Sequence, residues 1–106
     1  MYGMTGKLIA HSGKRDELAA VLLRAAEVVG QLPGCRLYAV SAALDDDTTI
    51  WVMEVWDDKA AHDASLEEEG VRTLIAAARP LLGGPPDGAE LHILGGHGLE
   101  NRPQKP

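Results

Sequence analysis

His62, Glu54 and the tryptophans Trp51 and Trp56 are the residue types here that suit acid–base chemistry on a flat organic ring. Imidazole is the side chain whose unperturbed pKa fits proton transfer near neutral pH. His62 shares a helical face with Ser65 and Leu66 at three- and four-residue steps, while Lys59, Asp63 and Glu67 fall elsewhere, so it is expected to point inward as a catalytic base. The alternative is a histidine hydrogen-bonded within the core. Glu54 sits among apolar neighbours, where a carboxylate must be paired, hydrogen-bonded or protonated. Its open roles are to orient His62 or Arg36, to bind substrate, or to form a structural ion pair. Trp56 shares Glu54's face of a strand and is assigned to the pocket, with core packing as its other role. Tyr38 and Ser65 join it in shaping the pocket. His97, within Gly95-Gly96-His97-Gly98, is a candidate to fold across a pocket mouth, its own or a partner's. The alternative is an exposed loop histidine.

Other chemistries find no support. The single cysteine, Cys35, excludes an intrachain disulfide and a cysteine-based zinc site. It reads as a small buried apolar residue rather than a nucleophile. Asp45-Asp46-Asp47 reads as a solvated hairpin turn rather than a cation site. His11 and His92 are scattered, and neither HxH nor HExxH spacing occurs. No Gly-rich phosphate loop follows a strand, so neither nucleotide nor flavin is expected. With a net charge of -6 and no Lys/Arg cluster, nucleic acid is not expected as a partner. The N-terminus shows no signal-peptide pattern, and no stretch approaches the roughly 20 apolar residues that span a bilayer, so no membrane association is expected. A reducing cytoplasm is the expected setting.

The elements that must position these residues follow from periodicity. Gly6 to His11 reads as a strand with Leu8 and Ala10 on one face and Lys7 and Ile9 on the other. Ser12 is a candidate cap for a helix from Lys14 to about Val29, whose stripe is Leu18, Val21, Leu22, Ala25 and Val28. Gly30 and Leu32-Pro33-Gly34 end it. Cys35 to Ala43 is a second strand and Thr48 to Trp56 a third. The third carries Ile50, Val52, Glu54 and Trp56 on one face and Trp51, Met53 and Val55 on the other. Both faces are mainly apolar and both need cover. Helices can cover one, and a partner subunit is the economical cover for the other. Asp57-Asp58 opens a helical stretch to about Leu66, and Glu67-Glu68-Glu69-Gly70 interrupts it. A second helix carries Val71, Leu74, Ile75 and Ala78 and ends at Pro80. Ala89 to Leu94 is the last strand. The order β-α-β-β-α-β predicts an α+β, ferredoxin-like split βαβ fold with an antiparallel sheet. The 106 residues suffice for one domain, 1–100, with 101–106 as a C-terminal tail.

Several runs, in order, resemble one family. They are Gly3-Met4-Thr5-Gly6-Lys7, Gly13-Lys14-Arg15-Asp16-Glu17-Leu18, Leu32-Pro33-Gly34-Cys35, Trp51-Val52-Met53-Glu54-Val55-Trp56, His62-Asp63-Ala64-Ser65-Leu66, Ala78-Arg79-Pro80-Leu81 and Gly95-Gly96-His97-Gly98-Leu99. Together they resemble the antibiotic biosynthesis monooxygenase (ABM) family, of the small quinol monooxygenase type, up to about Leu99. The resemblance implies a homodimeric α+β barrel with two sheets face to face, and a pocket in each subunit between sheet and helices. It implies oxidation of a phenolic compound or quinol by O2 without flavin, metal or other cofactor. Such chemistry asks for an apolar pocket, one base and shielding of the reactive anion from water. The haem-degrading branch uses an Asn, a Trp and a His where this chain has Gly6, Ser65 and Ile75, so haem degradation is not expected. The expected function is therefore a cofactor-independent monooxygenase acting on a small aromatic quinol. The alternatives are a non-catalytic dimer that binds a hydrophobic metabolite, and a structural dimer without a ligand. Fold and family alone do not fix chemistry.

Overall fold

The alternating strand that carries Glu54 forms the middle of the sheet. In the computed structural model, which describes residues 1–99, the order is β1 (Tyr2–Ile9), α1 (Arg15–Val29), β2 (Cys35–Ala42), β3 (Thr49–Trp56), α2 (Lys59–Ser65), α3 (Glu69–Ala78), a 3-10 turn (Arg79–Leu81) and β4 (Asp87–His92). The expected tail, 101–106, lies outside the described residues. The sheet order is β2-β3-β1-β4, antiparallel throughout. This is the expected α+β, ferredoxin-like arrangement, with β3 splitting the βαβ unit.

Register places Tyr2, Met4, Gly6 and Leu8 of β1 opposite Trp56, Glu54, Val52 and Ile50 of β3. Strand alternation then puts these eight residues on one face, beneath the helices. Leu18 and Leu22 of α1 pack there with Ile50, Val52, Ala10 and Ala78. Val29, Cys35, Trp56 and Val71 form a second cluster. Leu18, Ile50, Val55 and Trp56 are wholly buried, and each aliphatic among them contributes roughly 1.5–3 kcal/mol. The other face, apart from the buried Val55, is largely open: Ile9, Trp51, Met53 and Leu91 are 45%, 42%, 36% and 37% exposed.

Several boundaries differ from expectation. β1 begins at Tyr2 rather than Gly6. Gly3 and Gly6 weaken the strand signal because glycine lacks a side chain to pack. At Gly3 that lack is required: a Cβ there would lie 2.6 Å from Cδ1 of Ile93. β4 starts at Asp87 rather than Ala89 because Asp87 and Gly88 pair with Lys7 and Gly6. The expected Ser12 cap is not used. Lys14 occupies the N-cap of α1 and makes no side-chain capping bond. Glu69 and Gly70, expected in the interruption, already belong to α3. In the acidic turn, Asp46 accepts from the backbone N–H of Thr48 and Thr49 and from the Thr49 hydroxyl. These bonds hold its carboxyl below the usual range. Among the described residues no helix is long and apolar enough to cross a membrane.

Candidate functional site

Between α1, α3 and the sheet lies a cavity of 430 Å³, within the span of roughly 300–1,000 Å³ typical of small-molecule pockets. Its wall is mostly apolar, with Leu8 from β1, Val21, Leu22 and Ala25 from α1, and Leu74 and Ala78 from α3. Three expected site residues line it, namely Tyr38, Glu54 and Ser65, and Arg79 lines it too. A wider depression of 690 Å³ runs over Glu69, Arg72, Thr73 and Arg79 on the outer side of α3. No strand contributes to its lining.

Glu54 is held in the cavity wall by pairing on both sides, opposite Met4 of β1 and Tyr38 of β2. Trp56, two residues on and therefore on the same face, donates its indole N–H to Oε1 of Glu54 at 3.0 Å. Trp56 is itself wholly buried and not part of the cavity lining. Arg36, considered as a partner for Glu54, pairs instead with Asp57 at 2.6 Å. Burial pushes the Tyr38 phenol well above its ordinary pKa, and the nearby Glu54 charge pushes it the same way. Tyr38 is therefore a neutral hydrogen-bond donor in the wall. The Cys35 thiol is likewise pushed up, chiefly by burial and then by Glu54. A thiol so shifted is a poor nucleophile.

Position along α2 aims His62. Asp58, extended at the N-cap, accepts from the N–H of Ala61 at 2.8 Å and fixes where the helix starts. Close approach at Gly34 seats the helix: φ there is +86°, and a Cβ would lie 2.7 Å from that of Ala61. His62 and Ser65 then share the inward face, 6% and 4% exposed. His62 is not in the cavity lining but lies behind it. Its Nε2 is 3.9 Å from Oε1 of Glu54, and its Nδ1 is 3.0 Å from Oδ1 of Asp63. Trp56 meets the ring edge-on, at 5.9 Å between centroids. The Ser65 hydroxyl donates to the carbonyl of His62 at 2.6 Å, which leaves oxygen lone pairs for the cavity. His97 is exposed and not part of the lining, on an arm held where Arg36 Nη1 donates to the Leu99 carbonyl at 3.2 Å.

The sequence alone assigns no site role to Tyr2 or Arg79. The Tyr2 ring meets that of His62 at a 48° tilt, 5.2 Å between centroids, and its hydroxyl donates to Glu90 at 2.8 Å. Burial first, then that hydrogen bond, pushes its phenol up to about 12. The signal was available in pairing with the third strand, but a start at Gly6 cut Tyr2 out. Arg79 carries no signal beyond its place in the Ala78-Arg79-Pro80-Leu81 run at a helix end. Among the described residues no group of three or more His, Cys, Asp or Glu side chains is placed to hold a metal ion.

Comparison with known proteins adds a family. A family model described as antibiotic biosynthesis monooxygenase matches residues 1–77. A protein of antibiotic-biosynthesis-monooxygenase type from Chloroflexus aurantiacus J-10-fl is 39% identical, with a TM-score of 0.86 over 93% of this chain and 98% of its own. One from Deinococcus radiodurans is 26% identical, with a TM-score of 0.80 over 91% and 95% of the two chains. SnoaB, a cofactor-independent oxygenase from Streptomyces nogalater, here in a mutant form, shares the fold at 20% identity, with a TM-score of 0.79 over 91% and 95%. No curated protein matches the sequence.

Proposed function

Because the chain belongs to the antibiotic biosynthesis monooxygenase family, we propose that it is a cofactor-independent monooxygenase acting with O2 on a small aromatic quinol. The observation that carries this reading is a carboxylate, Glu54, in the wall of an otherwise mainly apolar 430 Å³ cavity. An electron-rich dihydroxyarene binds flat between α1 and the sheet, with its ring against apolar side chains. The Glu54–His62 pair removes a phenolic proton, and Tyr38 donates a hydrogen bond to the anion that forms. The anion passes an electron to O2, and the two radicals combine at a ring carbon. The hydroperoxide so formed loses water and leaves a new carbonyl. For a simple quinol the balance is one quinol and one O2 to one hydroxyquinone and one water. Apolar walls keep bulk water from the anion. Trp56 supports Glu54 from behind, Ser65 offers an acceptor for a second hydroxyl, and His97 remains a candidate at a partner's pocket mouth.

The same reading includes a homodimer. Ile9, Trp51, Met53 and Leu91 expose apolar surface on the sheet face that the helices leave open, and a second copy would cover it as a dimeric α+β barrel. The lone buried thiol suits the reducing cytoplasm.

Oxygen-electrode measurements with 1,4-dihydroxybenzene, 1,4-dihydroxynaphthalene and anthrone-like phenols test the proposal. Uptake above the uncatalysed rate, lost in Glu54→Gln, supports it. Tryptophan quenching by these compounds without oxygen uptake would identify a binding protein instead.

A further inference from the structure

Glu54, His62 and Asp63 stand in a row from the cavity to solvent. Glu54 lines the cavity. His62, buried, stands between it and Asp63, with Nε2 3.9 Å from Oε1 of Glu54 and Nδ1 3.0 Å from Oδ1 of Asp63. Asp63 is half exposed, at 52%. An apolar pocket benefits from such a route, because a proton left on its base can return to the substrate anion before oxygen reacts. On this basis, and resting on the oxygenase reading, we propose that Asp63 is the outlet through which the Glu54–His62 pair delivers the substrate proton to water.

Each transfer balances. The phenolic O–H breaks as an O–H forms on Glu54. That proton moves to Nε2 of His62 as Nδ1 gives its own to Asp63, and Asp63 releases it to solvent. At 3.9 Å from Nε2, Oε1 of Glu54 is beyond hydrogen-bond reach, so this transfer requires the carboxyl, held at Oε1 by Trp56, to shift toward His62. The surroundings favour the last of these steps, release from Asp63 to water. Lys59 lies 3.3 Å from Asp63 and 3.6 Å from Glu90, and Glu90 is tied up by the Tyr2 hydroxyl. The His62 hydrogen bond first, and then Lys59, hold the Asp63 carboxyl below its usual range. It therefore gives up a proton to water readily. Asp63 is a positioning and exit group and does not touch the substrate.

Two variants separate exit from positioning. Asp63→Asn keeps an acceptor for Nδ1 but cannot carry the proton, whereas Asp63→Ala removes both. Nitrogen-15 NMR of the His62 ring, without substrate, is expected to find its proton on Nδ1 in the wild type and in Asp63→Asn, and on Nε2 in Asp63→Ala. Oxygen uptake with 1,4-dihydroxynaphthalene is expected to lose about tenfold or more in kcat in both variants, at nearly unchanged KM, with an enlarged solvent deuterium isotope effect. A wild-type ring proton on Nε2 overturns the relay, as does wild-type kcat in Asp63→Asn. If the wild type consumes no oxygen, the oxygenase reading falls and the ring proton alone decides the relay.

Discussion

Replacing Glu54 by glutamine separates chemistry from stability at a single atom. The glutamine keeps the shape of the side chain and an amide oxygen to accept the Trp56 indole N–H, which in the native protein donates to a carboxylate at 3.0 Å. What is lost there is charge assistance to one hydrogen bond, on the order of 1 kcal/mol. What is gained is relief from holding a charge in a mainly apolar wall, of similar size and opposite sign. The net change in stability is then within about 1 kcal/mol, or a melting shift of at most roughly 4–8 °C for a domain of this size. Turnover responds quite differently. A positioned general base contributes about 10²–10⁴-fold, equivalent to roughly 3–5 kcal/mol of barrier, and glutamine cannot accept the proton. We expect kcat for oxygen uptake to fall by at least about a hundredfold, KM to change little, and the circular dichroism melt to stay close to wild type. A folded Glu54→Gln protein with more than about a tenth of wild-type kcat would refute the assignment of the base. A large rise in KM at constant kcat would assign Glu54 to binding instead.

Three further outcomes test the surrounding structure. Gly3→Val places a side chain where Cδ1 of Ile93 lies 2.6 Å from an ideal Cβ; it is expected to lower the urea midpoint by the equivalent of about 1–3 kcal/mol, and adding Ile93→Ala should restore part of it. Trp51→Glu places a charge in the middle of the open apolar sheet face; sedimentation velocity at micromolar concentration should then detect single subunits, and a variant dimer as stable as wild type would exclude that face as the interface. The folded Tyr2 phenol keeps its proton up to about pH 12, whereas in the unfolded chain it is lost near pH 10. In that window the unfolded state binds fewer protons, so this contribution is intact below pH 10 and disappears as pH rises through 12; thermal melts of Tyr2→Phe should show a shallower alkaline fall than wild type.

The parts of the molecule that were legible in the sequence are those governed by short-range periodicity. The two-residue alternation of β3 revealed that Glu54 and Trp56 share the helix-covered face while Trp51 and Met53 share the other. Three-residue spacing likewise revealed that His62 and Ser65 turn inward together, and both are buried. Periodicity gives direction, however, and not depth. The inward face of α2 meets Trp56 and Tyr2, so only Ser65 reaches the cavity while His62 stands behind its wall. That outcome depends on where a seven-residue helix sits along the strand, which Gly34 and Asp58 decide through tertiary contact. Tyr2 was hidden for a related reason. Glycines at positions 3 and 6 interrupt the local pattern, and only pairing with β3 and β4 makes those residues a strand.

The site and the open face are two sides of one strand, and the pairing of that strand is why both exist. β3 is paired along its full length, with β1 on one side and β2 on the other. A slip of one residue would turn Glu54 and Trp56 outward and bring Trp51 and Met53 under the helices. The two faces differ little in apolar character, so burial alone specifies the register weakly. Polar groups discriminate more strongly. In the native register the Glu54 carboxylate accepts from Trp56 and lies beside His62. Thr49 is equally committed, at 4% exposure, because its N–H and hydroxyl both reach the Asp46 carboxylate in the hairpin turn. A shifted strand would break both arrangements, and each polar group that it left buried without a partner would cost about 1–3 kcal/mol. The carboxylate assigned to catalysis therefore also helps to hold the strand in the register that exposes Trp51 and Met53 on the open face.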